Sequence, residues 1–179
     1  DPIDGTKAFM SGRPTFATLI ALLEDDRPVL GIIDQPIVRD RWLGVRGRPT
    51  MLNGKDVHTR QCAGLKDAHF STTAPELFPE GGAAAYRVVS AAAAIRSYGG
   101  DGYAYGLLAA GWIDIIIESG LKLHDFAALA PVIEGAGGVV TDWRGQPLTA
   151  RSDGRVAAAG SGRLHGLLIA EIRRACAGT

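Results

Sequence analysis

The sequence lacks the features that would direct it to a membrane, to nucleic acid or to a disulfide-stabilised fold. Although 46% of its residues are hydrophobic, no apolar run approaches the roughly 18 residues that a membrane span needs. Lys and Arg together number 19, as do Asp and Glu, so no nucleic-acid or anionic-membrane partner is predicted. The two cysteines, Cys62 and Cys176, stand alone, which indicates reduced thiols rather than a bridge or a metal site. No signal-peptide pattern is present, and we expect a cytoplasmic protein.

The residue types that carry chemistry are concentrated in the first six positions, Asp1-Pro2-Ile3-Asp4-Gly5-Thr6. Two carboxylates stand three residues apart on a turn that Pro2 stiffens, and Gly5 lets the backbone approach a ligand closely. Carboxylate oxygens beside a backbone carbonyl are ligands that Mg²⁺ prefers, and N–H groups that open a helix suit a phosphate. The stretch therefore predicts a place where a metal ion and a phosphate meet. For this motif in isolation, a plain Asx-turn at a helix start is an equally good interpretation.

Two segments together resemble the inositol monophosphatase family of lithium-sensitive, Mg²⁺-dependent phosphomonoesterases. The first is the opening hexapeptide, and the second is residues 123–138, LHDFAALAPVIEGAGG. Their joint presence, in this order and with a compatible spacing, makes the resemblance specific. It covers essentially the whole chain, which corresponds to the later part of a family member. Because the chain begins at Asp1 without an initiator Met, we expect the native polypeptide to continue upstream.

The resemblance implies a set of metal, phosphate and catalytic groups. Two or more Mg²⁺ ions would be bound by Asp1, Asp4, Asp125 and the carbonyl of Ile3. The amides of Gly5 and Thr6 would contact the phosphate, and the Thr6 hydroxyl, with Asp4, would serve the catalytic step by orienting the attacking water. The family's further acidic ligand, a Glu from an upstream helix, has no counterpart here, so we expect these residues alone to form an incomplete catalytic set. By themselves, Asp125 and Thr6 would be interpreted as helix caps.

Substrate choice is predicted to depend on two further carboxylates, Asp101 and Glu118. Asp101 follows the end of one predicted strand, and Glu118 ends another. The alternative interpretation is that both are charged residues in solvent-exposed loops. With Asp4 and Asp125 they would give a substrate pocket more negative charge than the metal ions need, which suits a substrate with a cationic end. The run GGDGYAY around Asp101 and the segment that begins at Glu118 most resemble the histidinol-phosphate phosphatase branch.

We therefore predict a phosphoric monoester hydrolase whose small-molecule substrate is L-histidinol phosphate. Within the same chemistry, the alternative is an inositol-1-phosphate phosphatase or a related sugar or nucleotide phosphatase. Outside that chemistry, the alternative is a non-catalytic chain with a vestigial metal loop. We also expect a homodimer.

One position departs from the family pattern. The residue before Asp125 is usually Trp or Tyr, and here it is His124. This imidazole could stack against a substrate, pair with a carboxylate or simply be solvated at a helix start. His58, His69 and His165 show no ligand spacing, and we interpret them as structural or surface residues.

The predicted fold is an α/β layered sandwich of the inositol monophosphatase type without its N-terminal helices. Consecutive strands with short connections favour an antiparallel sheet in residues 1–60. The run Phe16–Leu23 is predicted to be a strand buried on both faces, and Asn53-Gly54 to form a hairpin turn. Alternating strands and helices in residues 61–179 indicate an α/β lobe. A helix is predicted over Asp125–Ala136, despite Pro131 within it.

Overall fold

A computed structural model describes residues 1–177, without the side chain of Glu80. Two five-stranded sheets organise the chain. The first follows a short helix, α1 (Thr6–Met10), and its strands lie side by side in chain order, all antiparallel. These strands are β1 (Thr18–Glu24), β2 (Arg27–Gln35), β3 (Asp40–Val45), β4 (Met51–Leu52) and β5 (Lys55–Asp56).

Two-residue turns fix the register of the first sheet. Asp25 and Asp26 connect β1 to β2 with φ angles of 48° and 63°, and Asn53 and Gly54 connect β4 to β5 with φ angles of 51° and 80°. Two consecutive left-handed residues form the turn whose twist matches that of antiparallel strands. The predicted antiparallel sheet and the Asn53-Gly54 hairpin are therefore confirmed.

The prediction that the first strand is buried on both faces is wrong. Leu19 is buried, but Ile20 and Leu22 are 52% and 59% exposed. Side chains alternate between the two faces of a strand, and only the face that carries Leu19 packs against a further layer. The apolar run therefore forms an edge strand with one face open in the described chain.

The second sheet is mixed, with the strand order β7-β6-β8-β10-β9. β6 is parallel to β7 and β8, whereas β10 is antiparallel to β8 and β9. The alternation of strands and helices that the sequence predicted is confirmed. The elements are β6 (His69–Thr72), α2 (Glu80–Ala92), β7 (Ile95–Tyr98), α3 (Asp101–Ala109), β8 (Ile115–Glu118), α4 (Leu123–Phe126), α5 (Leu129–Gly135), β9 (Val139–Asp142), β10 (Val156–Ala159) and α6 (Gly162–Ala177), with 3₁₀ turns at Leu65–Asp67 and Pro75–Leu77.

The two sheets and their helices form a layered sandwich. Helices α3 and α5 lie between the sheets, where one apolar core joins Trp42 of β3, Leu108 of α3 and Ile116 of β8. Helices α2 and α6 cover the other face of the second sheet, where Phe70 and Leu168 belong to a second core. This arrangement confirms the predicted α/β sandwich. No helix within residues 1–177 combines the length and the apolar character that crossing a bilayer requires.

The helix predicted over Asp125–Ala136 is divided into α4 and α5 at Ala127 and Ala128. Pro131 has no N–H to donate to the carbonyl of Ala127, so the helical hydrogen-bond ladder is interrupted there. The break lies directly against β2, because a Cβ on Gly31 would stand 2.0 Å from the carbonyl oxygen of Ala128. Glycine at position 31 therefore allows the α4–α5 junction to pack on the backbone of the first sheet.

The two sheets use separate parts of the sequence, residues 18–56 and residues 69–159. The apolar core between them nevertheless includes side chains from both. The division into lobes of residues 1–60 and 61–179 stays a prediction, and residues 178–179 lie outside the described part of the chain.

His165 on α6 provides a test of this packing through pH. The imidazole is buried, its Nε2 lies 2.9 Å from the Thr141 hydroxyl, and burial lowers its pKa below the usual 6.5. The folded state therefore protonates His165 less readily than the unfolded state does. The stability that the buried, neutral imidazole contributes is present in full above pH 6.5 and is lost as the pH falls below that value. We expect the difference in unfolding free energy between the wild type and His165→Gln to shrink from pH 7.5 to pH 5.5 in urea titrations. A difference independent of pH would contradict this prediction.

Candidate active site

The opening loop is held in place by pairing with β1. The backbone N–H of Asp1 donates to the carbonyl of Leu19 at 2.8 Å, and the Leu19 N–H donates back at 2.7 Å. Asp4 forms an isolated bridge with Ala17 through two further backbone hydrogen bonds. Gly5, with φ of 79°, then turns the chain into α1. Asp1 and Asp4 are therefore attached to the edge of the first sheet rather than to a free loop.

The carboxylate of Asp4 is buried and points toward the start of α3. Its Oδ2 accepts a hydrogen bond from the Gly102 N–H at 2.6 Å. Its pKa is raised to about 7, chiefly by burial and also by the nearby Asp101 and Asp125, whereas the Gly102 hydrogen bond opposes the shift. A carboxyl in this environment binds a proton or a cation more readily than an ordinary surface aspartate does.

Asp125 stands at the beginning of α4 but is not its N-cap. Lys122 occupies the N-cap, and Asp125, as the third helical residue, accepts the Lys122 N–H through Oδ2 at 2.7 Å. Asp125 was predicted from its residue type to be the N-cap. It instead forms the second half of a capping box, in which the side chain of the third helical residue accepts the N–H of the N-cap residue. Thr6 likewise is not the cap of α1, because Gly5 takes that place. The Thr6 hydroxyl instead donates to the carbonyl of Ile3 at 3.2 Å.

The fold brings the two sequence motifs together. One side-chain ligand atom from each of Asp1, His124 and Asp125 lies within 4.8 Å of the other two. Asp4 and Asp125 both line a narrow cleft on the other side of this group. Carboxylates that stand close together are a donor set that a divalent cation stabilises. Asp1 and Asp125 therefore meet in one group, Asp4 shares the cleft with Asp125, and all three are ligands of the kind that Mg²⁺ binds.

Asp101 enters the same cleft from the first residue of α3. It has φ of 44°, in the left-handed region, directly after Gly99 and Gly100 with φ of 81° and 94°. Such a conformation is strained for a residue with a side chain and is found at functional sites. Burial raises the pKa of Asp101, and Asp125 adds to the shift.

Glu118, at the end of β8, is only 2% exposed. Its Oε1 accepts two hydrogen bonds from Thr73, from the N–H at 2.6 Å and from the hydroxyl at 2.9 Å. Burial raises the pKa of Glu118 to about 7, with Asp101 as a further cause, while the hydrogen bonds from Thr73 lower it. Thr72 lies beside this carboxyl, yet within the described residues Oε2 accepts no hydrogen bond of normal geometry. Glu118 thus presents one uncompensated oxygen to the cleft.

Two residues of the cleft were missed by sequence reasoning. Thr73 positions Glu118, and its hydroxyl is also 3.4 Å from Asp101. Tyr105 lines the cleft with a buried hydroxyl that has no hydrogen-bond partner in residues 1–177, and burial keeps its pKa well above 10. Spacing was an available signal for Tyr105, because residues four apart on a helix share a face and Asp101 lies four residues before it. For Thr73 the available signal was the run of hydroxyl residues Ser71-Thr72-Thr73 at the end of a predicted strand.

A wider cavity of about 450 Å³ adjoins the acidic cleft at Asp101. Its walls include Lys7 of α1 and Arg13, together with Thr73 and Glu76. The first N–H groups of a helix have no intrahelical partners, and α1 begins beside this opening with the backbone of Gly5 and Thr6. The site therefore combines an acidic inner part with a more basic entrance.

Comparison with known proteins gives concordant matches. The sequence model described as "Inositol monophosphatase family" matches residues 1–177. A bifunctional phosphatase, IMPL2, of Arabidopsis thaliana, described as chloroplastic, is 56% identical over 82% of this chain and 42% of its own length. A histidinol-phosphatase of Mycobacterium tuberculosis is 35% identical over 92% of this chain and 65% of its own.

Among solved structures, an inositol monophosphatase from Zymomonas mobilis is similar in fold, with a TM-score of 0.95 at 48% identity. The match covers 97% of this chain and 68% of the Zymomonas chain. The chain thus spans between about two-fifths and two-thirds of the length of these two curated relatives.

Proposed function

This chain belongs to the inositol monophosphatase family, and from that premise we propose that it carries most of the active site of a Mg²⁺-dependent phosphomonoesterase. The ions would be held by the carboxylates of Asp1, Asp4 and Asp125 and by the carbonyl of Ile3. Bound Mg²⁺ supplies Lewis-acid polarisation of phosphate oxygens and a water of lowered pKa. The support is the meeting of Asp1 with Asp125, the position of Asp4 in the same cleft as Asp125, and the raised pKa of Asp4.

The remaining groups of the opening loop would bind and orient. We assign phosphate contacts to the amides of Gly5 and Thr6, which lie where α1 begins. The Thr6 hydroxyl donates to the carbonyl of Ile3 in the structure, so the same hydroxyl oxygen can accept a hydrogen bond from a water at that place. Thr6 would therefore hold the attacking water in line with the phosphate, and Asp4 would help to keep it there.

For the substrate, we propose L-histidinol phosphate. The observation that carries this proposal is the buried Glu118 beside Asp101. Its second oxygen accepts no hydrogen bond of normal geometry in the described residues, although Thr72 lies nearby. Lys7 already supplies positive charge near Asp101, but a desolvated carboxylate such as Glu118 favours a ligand that brings positive charge, and histidinol phosphate has an ammonium group and an imidazole. The curated relative named histidinol-phosphatase is in accord with this assignment.

Inositol 1-phosphate is the second candidate, because the Zymomonas relative of 48% identity is named an inositol monophosphatase. An inositol ring is neutral and would meet Asp101 and Glu118 through hydroxyl groups alone. The two substrates therefore differ in how they would compensate the charge of the cleft. The expected homodimer and the cytoplasmic location stay predictions, and the Arabidopsis relative is described as chloroplastic.

Phosphate release from a substrate panel tests the assignment. With the intact protein and saturating Mg²⁺, we expect kcat/KM for L-histidinol phosphate to exceed that for inositol 1-phosphate and glycerol phosphate by at least about tenfold. One charge-assisted hydrogen bond is worth about 1.5–3 kcal/mol, which corresponds to one to two powers of ten. Preference for inositol 1-phosphate would establish the second candidate, and hydrolysis of no ester in the panel would contradict the phosphatase proposal itself.

A further inference from the structure

The imidazole of His124 lies beside two of the proposed Mg²⁺ ligands. It belongs to the group of three side chains whose ligand atoms all lie within 4.8 Å of one another, with Asp1 and Asp125. The position is usually aromatic in the family, so this nitrogen is an addition to the ordinary oxygen ligands. Three potential ligands of two chemical kinds therefore face a common point.

The two carboxylates of this group are already oriented by the backbone. Asp1 accepts the Ile3 N–H through Oδ1 at 2.9 Å, and Asp125 accepts the Lys122 N–H through Oδ2. Each carboxylate therefore has a second oxygen that no backbone amide holds. For Asp125 that oxygen, Oδ1, is the one nearest to His124. These oxygens can therefore bind an ion without breaking the backbone hydrogen bonds that orient the two carboxylates.

Within residues 1–177, no hydrogen bond of ordinary length holds the imidazole of His124. Its Nε2 is 3.4 Å from Asp125 Oδ1, which is longer than an ordinary N–H···O hydrogen bond. The side chain is 55% exposed, and the adjoining groove is lined by Asp1, Leu19 and Ala127 among others. A hydrated ion can therefore reach the imidazole from solvent and keep water on its open side.

We propose that His124 is a metal ligand, and that Asp1, His124 and Asp125 form an outer site that favours a divalent transition metal such as Mn²⁺ over Mg²⁺. Imidazole nitrogen suits first-row transition metals such as Fe²⁺ and Zn²⁺, whereas Mg²⁺ prefers oxygen ligands; Mn²⁺ also binds carboxylate oxygens well, so a site of two carboxylates and one imidazole can take it. The inference rests on the proposed metal dependence but concerns which ion the protein selects. His124 stands where the family usually has Trp or Tyr, and in this chain that residue would influence which metal ion is bound.

Electron spin echo envelope modulation of the Mn²⁺-loaded intact protein tests this directly, because it detects a ¹⁴N nucleus bonded to the ion and needs no turnover. We expect ¹⁴N modulation in the wild type, its loss in His124→Tyr and its retention in His58→Tyr, which replaces a surface histidine. By calorimetry, His124→Tyr should weaken Mn²⁺ binding by at least about tenfold, since even the loss of a residue that only supports a metal ligand costs 10- to 100-fold, and change Mg²⁺ binding by less than about twofold.

The outcomes separate this inference from the function proposed above. If Mn²⁺ binds but the wild type shows no ¹⁴N modulation, or if His124→Tyr keeps it, then His124 is not a ligand and the phosphatase proposal is untouched. If neither ion binds to the intact protein, the carboxylate site itself is wrong, and both proposals fall. Equal weakening of Mn²⁺ and Mg²⁺ binding by His124→Tyr would overturn the claimed preference.

Discussion

The substitutions Asp4→Asn and Asp125→Asn should each reduce the kcat/KM of the intact protein by about 100- to 1000-fold for any phosphate ester that it hydrolyses. Both carboxylates are proposed to hold the same ions, one from the edge of the first sheet and one from α4. The charge stabilisation that a metal ion supplies is worth several kcal/mol, and each 1.36 kcal/mol corresponds to a factor of ten in rate. Steady-state phosphate release at saturating Mg²⁺ measures the loss.

A structural role for Asp4 can be distinguished from a metal role in the same experiment. Asn retains an oxygen that can accept the Gly102 N–H and removes a charge that burial disfavours. The unfolding midpoint of Asp4→Asn in a chelator should therefore be no lower than that of the wild type. Asp56→Asn, an exposed carboxylate on β5, is the control that should keep full activity. Undiminished turnover of the wild type in excess chelator would contradict metal dependence altogether.

The second large effect concerns specificity. We expect Asp101→Asn or Glu118→Gln to lower kcat/KM for L-histidinol phosphate by about 10- to 100-fold, because each removes one charge-assisted hydrogen bond worth about 1.5–3 kcal/mol. Activity toward glycerol phosphate should stay within a few-fold, since that small neutral ester uses only the phosphate contacts. The two substrates are compared by phosphate release with the intact protein at saturating Mg²⁺.

Both replacements are chosen to preserve the local structure. Asn tolerates left-handed backbone better than most residues, so it suits position 101 with its φ of 44°. Gln at position 118 retains an oxygen for the two hydrogen bonds from Thr73. Asp56→Asn again serves as the control. Equal losses for both substrates would mean that Asp101 and Glu118 serve the metal site or the fold, and the histidinol assignment would lose its physical support.

The sequence by itself determined the class of fold and the chemical kind of the site. The opening DPIDGT and the segment 123–138 are short local patterns. Their aspartates supply carboxylate oxygens, and the Pro and Gly of the first segment favour a tight turn, whatever the rest of the fold. Turn residues such as Asn53-Gly54 dictate a hairpin through their own backbone preferences. The alternation of apolar strands and helices after Gln61 likewise follows from local periodicity.

Only the tertiary structure decided which side chains meet. Thr73 and Glu118 are 45 residues apart and touch because β6 and β8 are neighbours in the second sheet. His124 comes to Asp1 because α4 lies against β1, and Ile20 is exposed because only the opposite face of β1, which carries Leu19, packs against a further layer. Burial, pKa shifts and unpartnered oxygens depend on such long-range packing, since neighbouring layers set the solvent access and charge around each group. No local pattern in the chain contains that information.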